Sequence, residues 1–178
     1  LVKMKKDIKK KIDEIIRVNH AGEFGAQMIY GGQIKFTRDE KLKKKLMEIA
    51  DDEQRHFDYF NKKMIDYRTR PTLMTPVWEI GGSFLGAITA KLGEKYVHAC
   101  TESVEQVIVD HYKNQMEYLK KNKTNDDLLK KIKQFCDEED EHRQDAKDSL
   151  TADDCKVKMF KKFTSKLTSL AIKISKKV

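Results

Sequence analysis

Two segments of the chain place a histidine three residues after a glutamate: Glu53-x-x-His56 and Glu139-x-x-His142. On a helix, residues three apart project from the same face, so this spacing brings a carboxylate and an imidazole to one point. Carboxylate oxygen and imidazole nitrogen together are ligands for a first-row divalent ion. In a chain that is 37% charged, one such pair is most often a surface coincidence. Two pairs carry more weight, because each interrupts an apolar stripe. The first stripe is Leu42, Leu46, Ile49, Glu53, His56, Phe60 and Met64; the second is Leu128, Ile132, Phe135, Glu139, His142 and Ala146. Steps of three and four keep each stripe on one helix face. A carboxylate on a core face is costly unless something compensates it, and a metal ion would do so.

Two further stripes each contribute a single acid. Ile12, Ile16, Asn19, Glu23 and Tyr30 share one face, and Val97, Thr101, Glu105, Ile108, Tyr112 and Leu119 share another. Glu23, Glu53, His56, Glu105, Glu139 and His142 together form the ligand set of helical di-iron and di-manganese carboxylate proteins. By analogy with such clusters, Glu53 and Glu139 bridge the ions, Glu23 with His56 caps one, and Glu105 with His142 caps the other. Four carboxylates would neutralise two divalent ions. Zinc prefers four ligands and often thiolates, and Cys100, Cys136 and Cys155 are out of phase with the stripes. Asp52 and Glu138 directly precede the bridging acids and are candidates to orient the histidines, or else face solvent. His111 is a candidate for a supporting or channel role, against the simpler reading of a satisfied core histidine. His20 and His98 receive no role.

The elements that must position these residues are helical. Only two prolines and eight glycines punctuate 178 residues, and no long alternating pattern suggests a strand. The pattern predicts helices over about 7–36, 39–67 and 77–92. Helical pattern then continues to about 121, with Gly93 kinking or ending the third helix, and a further helix covers about 126–150. Arg70-Pro71-Thr72 and Thr75-Pro76 mark a connection. Asn122-Lys123-Thr124-Asn125 is a turn with Thr124 or Asn125 as N-cap. Thr151-Ala152-Asp153 is a short break before a basic amphipathic helix. The small residues of Asn19-His20-Ala21-Gly22-Glu23-Phe24-Gly25 predict a close helix approach. The expectation is one all-α domain over 1–178: a four-helix bundle over 1–150, with a basic amphipathic helix over 153–178.

The net charge of +8 concentrates at the two ends: Lys3, Lys5, Lys6, Lys9, Lys10, Lys11 and Arg17 at one, eight lysines from Asp153 onward at the other. Such ends suit an anionic partner or a solvated surface. Three cysteines without metal-site spacing form no disulfide framework and point to a reducing compartment. No signal peptide is legible, and the chain opens on Leu1, as a trimmed form would. The longest apolar run, Val77 to Ala90, is too short to span a bilayer.

Residues flanking the ligands narrow the function. Arg17-Val18-Asn19-His20-Ala21-Gly22-Glu23, Arg70-Pro71-Thr72, Ala99-Cys100-Thr101, and Val104-Glu105 through His111-Tyr112 to Asn114-Gln115 resemble the demethoxyubiquinone hydroxylases of ubiquinone (coenzyme Q) biosynthesis, in the ferritin-like superfamily. The resemblance runs from about Asp13 to the C-terminus and includes all six ligand positions. Gln106, Asp110 and a short turn near Asn122 depart from it. It implies a ferritin-like bundle holding two Fe ions. It also implies O2-dependent hydroxylation of a polyprenyl demethoxybenzoquinol, with an external two-electron reductant, NADH being the candidate. Tyr112 and His111 match positions near the cluster that couple electrons or protons to it. The implied partners are the quinol, O2, a membrane surface and a ubiquinone-synthesis complex containing a lipid-binding protein, and no nucleic acid. The implied location is peripheral: the matrix face of the mitochondrial inner membrane, or the cytoplasmic face in a bacterium. Trp78, Phe84, Leu85 and Ile88 would then form a lipid-facing surface or substrate route. Phe160, Phe163, Leu167, Leu170 and Ile174 give the last helix an interfacial face or a packing face. Competing readings are an iron-storage or peroxide-scavenging protein and a basic helical module binding nucleic acid or protein. The first would need a cage or paired cysteines. The second leaves acids and histidines on core stripes unexplained.

Overall fold

A computed structural model describes residues 2–150 and 154–177, with side chains from residue 6 onward. The expected break at 151–153 lies outside the described residues, as do the side chains of Lys3 and Lys5. The described residues form six helices: α1 (Val2–Phe36), α2 (Glu40–Tyr67), α3 (Thr75–Leu92), α4 (Glu94–Lys121), α5 (Asp126–Asp148) and α6 (Cys155–Ser175). The all-α expectation holds. Helix α1 begins earlier than its apolar periodicity, because the lysine-rich first turns favour helix without contributing to a stripe. Helix α5 stops at Asp148, two residues before the predicted end.

Local chemistry sets the boundaries. Asp39 caps α2 by accepting a hydrogen bond from the Leu42 amide at 2.7 Å. The helix ends where Arg68 turns left-handed (φ 53°), letting the Arg68 and Thr69 amides reach back to the carbonyls of Ile65 and Met64. Gly93, at φ 108°, separates α3 from α4; a side chain is strained in that conformation. Of the two predicted caps, Asn125 is the one used, and its side chain accepts from the Leu128 amide.

The chain divides into two compact units, Leu1–Lys91 with Leu170–Val178, and Leu92–Ser169. In the first, α1 lies along α2. Helix α3 crosses α1 at glycines: a Cβ on Gly86 would stand 2.0 Å from the Ile29 carbonyl oxygen, and one on Gly32 would stand 2.5 Å from that of Ser83. The close approach begins at the end of the Asn19–Gly25 segment, where a Cβ on Gly82 would stand 3.0 Å from the Gly25 carbonyl oxygen, and continues to Gly32. The α2–α3 connection is tied to α1 twice. Arg17 donates to the Arg70 carbonyl at 2.9 Å, and the Thr69 hydroxyl donates to Asp13 at 3.1 Å. In the second unit, α4 lies along α5. The start of α6 is held to α4 by a Lys161–Glu102 ion pair at 2.8 Å and an edge-on Tyr96–Phe160 contact.

Candidate metal centre

The stripe on α2 is the buried face of that helix: Leu42, Leu46, Ile49, Glu53, His56, Phe60 and Met64 are its buried residues. On α1, Ile12, Ile16, Asn19, Glu23 and Tyr30 are all buried. Because α1 and α2 run together, Glu23 comes beside the α2 motif. Its Oε2 lies 3.6 Å from His56 Nδ1, and ligand atoms of Glu23, Glu53 and His56 all lie within 4.8 Å of one another. Two donors on a common ion with bonds of about 2.2 Å can stand at most ~4.4 Å apart, so a small closing movement would suit them to one ion. Glu23, Glu53 and His56 are almost wholly buried, at 3%, 1% and 0% exposure. Two carboxylates and an imidazole sharing a dry pocket fit a cation chemically. An ion supplies the positive charge that burial otherwise withholds from the acids.

The second unit carries the other predicted ligands. Glu105 and Glu139 are buried, and His142 is partly so. His142 Nδ1 sits 3.2 Å from Glu139 Oε2, within the motif itself. Of the predicted α4 stripe, Val97, Thr101, Glu105, Tyr112 and Leu119 are buried, while Ile108 is only half-buried and Val109 takes its place in the core. Cys100 lies five residues before Glu105 on α4. Burial, with the Glu105 carboxylate adding to it, pushes its thiol up to about 12, so it remains a neutral thiol. Burial also raises the Cys136 thiol.

Among the supporting candidates, Tyr112 is buried, and His111 shares a 2.7 Å hydrogen bond through Nε2 with the buried Gln115. Gln115 had entered only through its resemblance to a family position; its spacing of four from His111 on α4 is the signal for this pairing. Asp52 pairs with Arg55, and Glu138 accepts from Gln134 at 2.8 Å, so both acids take partners on their own helices. His20, given no role from sequence, packs its ring 4.7 Å from that of Phe57. Burial lowers its pKa, with a hydrogen bond to Asn61 opposing the shift.

An all-α chain with Glu-x-x-His on each of two long helices and a buried acid on each of two others is of the ferritin-like class. The family model described as "Ubiquinone biosynthesis protein COQ7" matches residues 10–175, and the chain belongs to that family. A Mus musculus protein named "NADPH-dependent 3-demethoxyubiquinone 3-hydroxylase, mitochondrial" is 44% identical over 133 residues, which cover 74% of this chain and 61% of its own length. A Rhodospirillum rubrum protein named "3-demethoxyubiquinol 3-hydroxylase" is 42% identical over 135 residues, covering 74% and 62%. A Caenorhabditis elegans relative with the same name as the mouse protein is 34% identical over 133 residues, covering 74% and 71%. The matched region therefore spans 61% and 62% of the mouse and bacterial relatives.

Proposed function

We propose that this chain is a di-iron monooxygenase that hydroxylates the ring of a polyprenyl demethoxybenzoquinol in ubiquinone biosynthesis. It acts as one functional domain, with Glu23, Glu53, His56, Glu105, Glu139 and His142 as the proposed ligands of two iron ions. The observation that carries this reading is the buried grouping of Glu23, Glu53 and His56 on paired helices. The second Glu-x-x-His and the printed names of the relatives support it. When bound, the iron pair supplies the redox chemistry that dioxygen needs to react with the quinol. The balance is quinol, O2, two electrons and two protons giving hydroxylated quinol and water.

The chain's residues hold the ligands in place and keep water from them. Gln115 fixes the His111 ring, and His111 and Tyr112 serve proton transfer to the site. The electrons come from a nicotinamide nucleotide. NADH was the expectation from resemblance, and the name of the mouse relative favours NADPH. A polyprenyl substrate resides in a bilayer, so the protein works at a membrane surface. No described helix is long and apolar enough to cross a membrane. Phe84 and Ile88 on α3 are exposed and suit a lipid-facing role. Trp78 does not join them, because its indole N–H donates to Ser175 at 3.1 Å and the ring is part-buried. The location is the matrix face of the mitochondrial inner membrane, or the cytoplasmic membrane face if the source is bacterial. A lipid-binding protein of the ubiquinone-synthesis complex is the expected partner.

Elemental analysis of anaerobically purified protein tests the reading, alongside Glu139→Ala and a quinol hydroxylation assay. About two irons per chain, lost in the variant together with hydroxylation, is the expected result. Reconstituted wild-type protein without metal would overturn it.

A further inference from the structure

Beside the dry face that holds Glu23, Glu53 and His56, α1 and α2 meet again along a part-exposed seam. His20, Phe24 and Gln27 follow one another on α1 at steps of four and three, so they share one side of that helix. Gln54, Phe57 and Asn61 do the same on α2 at steps of three and four. The two rows meet in opposite order. The His20 ring packs 4.7 Å from that of Phe57, and a hydrogen bond ties it to Asn61. Phe24 packs 6.1 Å from the same Phe57 ring. Gln27 donates to Gln54 at 3.0 Å, and Gln54 in turn donates to Asp58 at 2.8 Å. Gln54, Asp58 and Asn61 are exposed, where water competes for such bonds and they add little to stability.

We propose that His20, Gln27 and Phe57 are positioning residues, through which the seam sets the register that brings Glu23 to His56. Each row stands one residue from the ligands: Phe24 follows Glu23, Gln54 follows Glu53 and Phe57 follows His56. One residue turns about 100° around a helix, so the seam and the ligand face are neighbouring sides of one helix pair. A slide of α1 along α2, or a roll about its own axis, breaks the seam contacts and moves Glu23 from His56 at the same time. The apolar stripes alone do not forbid such a slide, because apolar burial is non-directional, whereas hydrogen bonds fix distance and angle. The tolerance is small. Donors to one ion stand at most ~4.4 Å apart, and Glu23 Oε2 already lies 3.6 Å from His56 Nδ1, so a slide of about 1 Å would exhaust it. The inference rests on the metal centre proposed above.

The test loads the metal-free full chain with cobalt(II), a stand-in for iron(II) whose visible absorption reports ligand geometry. Affinity is measured by competition with a chelator. His20→Ala should weaken binding about tenfold, the low end of the effect of groups that orient ligands, and should change the absorption spectrum. His20→Gln keeps an amide that can reach Asn61 and should regain most of both. Gln27→Leu, which loses the tie to Gln54, should weaken binding less than His20→Ala. Arg17→Met loosens the α2–α3 connection outside the seam. It should lower the melting temperature yet leave cobalt affinity and spectrum as in the wild type. His20→Ala protein with wild-type affinity and spectrum would overturn the positioning role and leave the metal centre standing. Equal weakening by His20→Ala and Arg17→Met would reduce the seam to general stability and also overturn it. Wild-type protein that takes up neither cobalt nor iron would overturn the metal centre itself, and this inference with it.

Discussion

The two Glu-x-x-His helices carry one motif in different surroundings. His56 has no exposed surface and finds its carboxylate on another helix, Glu23 of α1 at 3.6 Å. His142 keeps an 11% exposed side chain and faces Glu139 of its own helix at 3.2 Å. The second contact is one that any helix with this spacing can make. The first exists only because α1 and α2 pack. The same four-residue pattern therefore makes a contact within its own helix on α5 and one between helices on α2.

The sharpest way to probe that difference is to remove each imidazole. Either His56→Ala or His142→Ala should weaken iron binding by more than about 100-fold, because loss of a ligand should exceed the 10–100-fold typical of outer-shell changes. Competition with a chelator measures it. In metal-free protein the two should part. His56→Ala should cost about 3 kcal/mol in urea unfolding, since it opens a cavity beside buried acids. His142→Ala should cost less, about 1–2 kcal/mol, because its side chain keeps some exposure. Equal costs would dissolve the comparison.

Next in size, Gly86→Ala should destabilise by about 3 kcal/mol, because its methyl group meets the Ile29 carbonyl and α3 must shift away from α1. Calorimetry should show a melting temperature lowered by roughly 6–12 °C. Metal binding that is disturbed through Glu23 while the Glu139–His142 pair is spared would sharpen the contrast. Arg17→Met, which loses the bond to the Arg70 carbonyl, should cost about 1 kcal/mol, read by the same scan.

The smallest effect belongs to His20. Its pKa is lowered in the folded state by burial, so the unfolded chain binds a proton more readily. Stability should fall as pH drops below the ordinary histidine value of 6.5 and level off once pH passes below the lowered folded value. His20→Gln should flatten that part of the pH–stability curve. An unchanged curve would mean that His20 does not contribute.

Much of the candidate site was legible because helical periodicity is local. The seven-residue stripe on α2 reads directly as its buried face, and acids at core phase on α1, α4 and α5 were visible from spacing alone. Asn125 as a cap and the arrest at Gly93 follow from local backbone preferences. Distances between helices were not legible. That Glu23 meets His56 was expected by analogy with di-metal clusters, not from any pattern within α1 or α2, and neither helix shows by itself that Gly86 packs against the Ile29 carbonyl. The outward face of α6 was equally hidden: its apolar spacing suits a core as well as a surface, and only the exposure of Met159, Phe163, Leu167 and Leu170 decides between them. The sequence by itself determined which residues share a helix face, because 3.6-residue periodicity acts within one segment. Which faces meet, and which stay bare, was decided by the tertiary structure, because packing depends on shape and charge contributed by segments far apart in the chain.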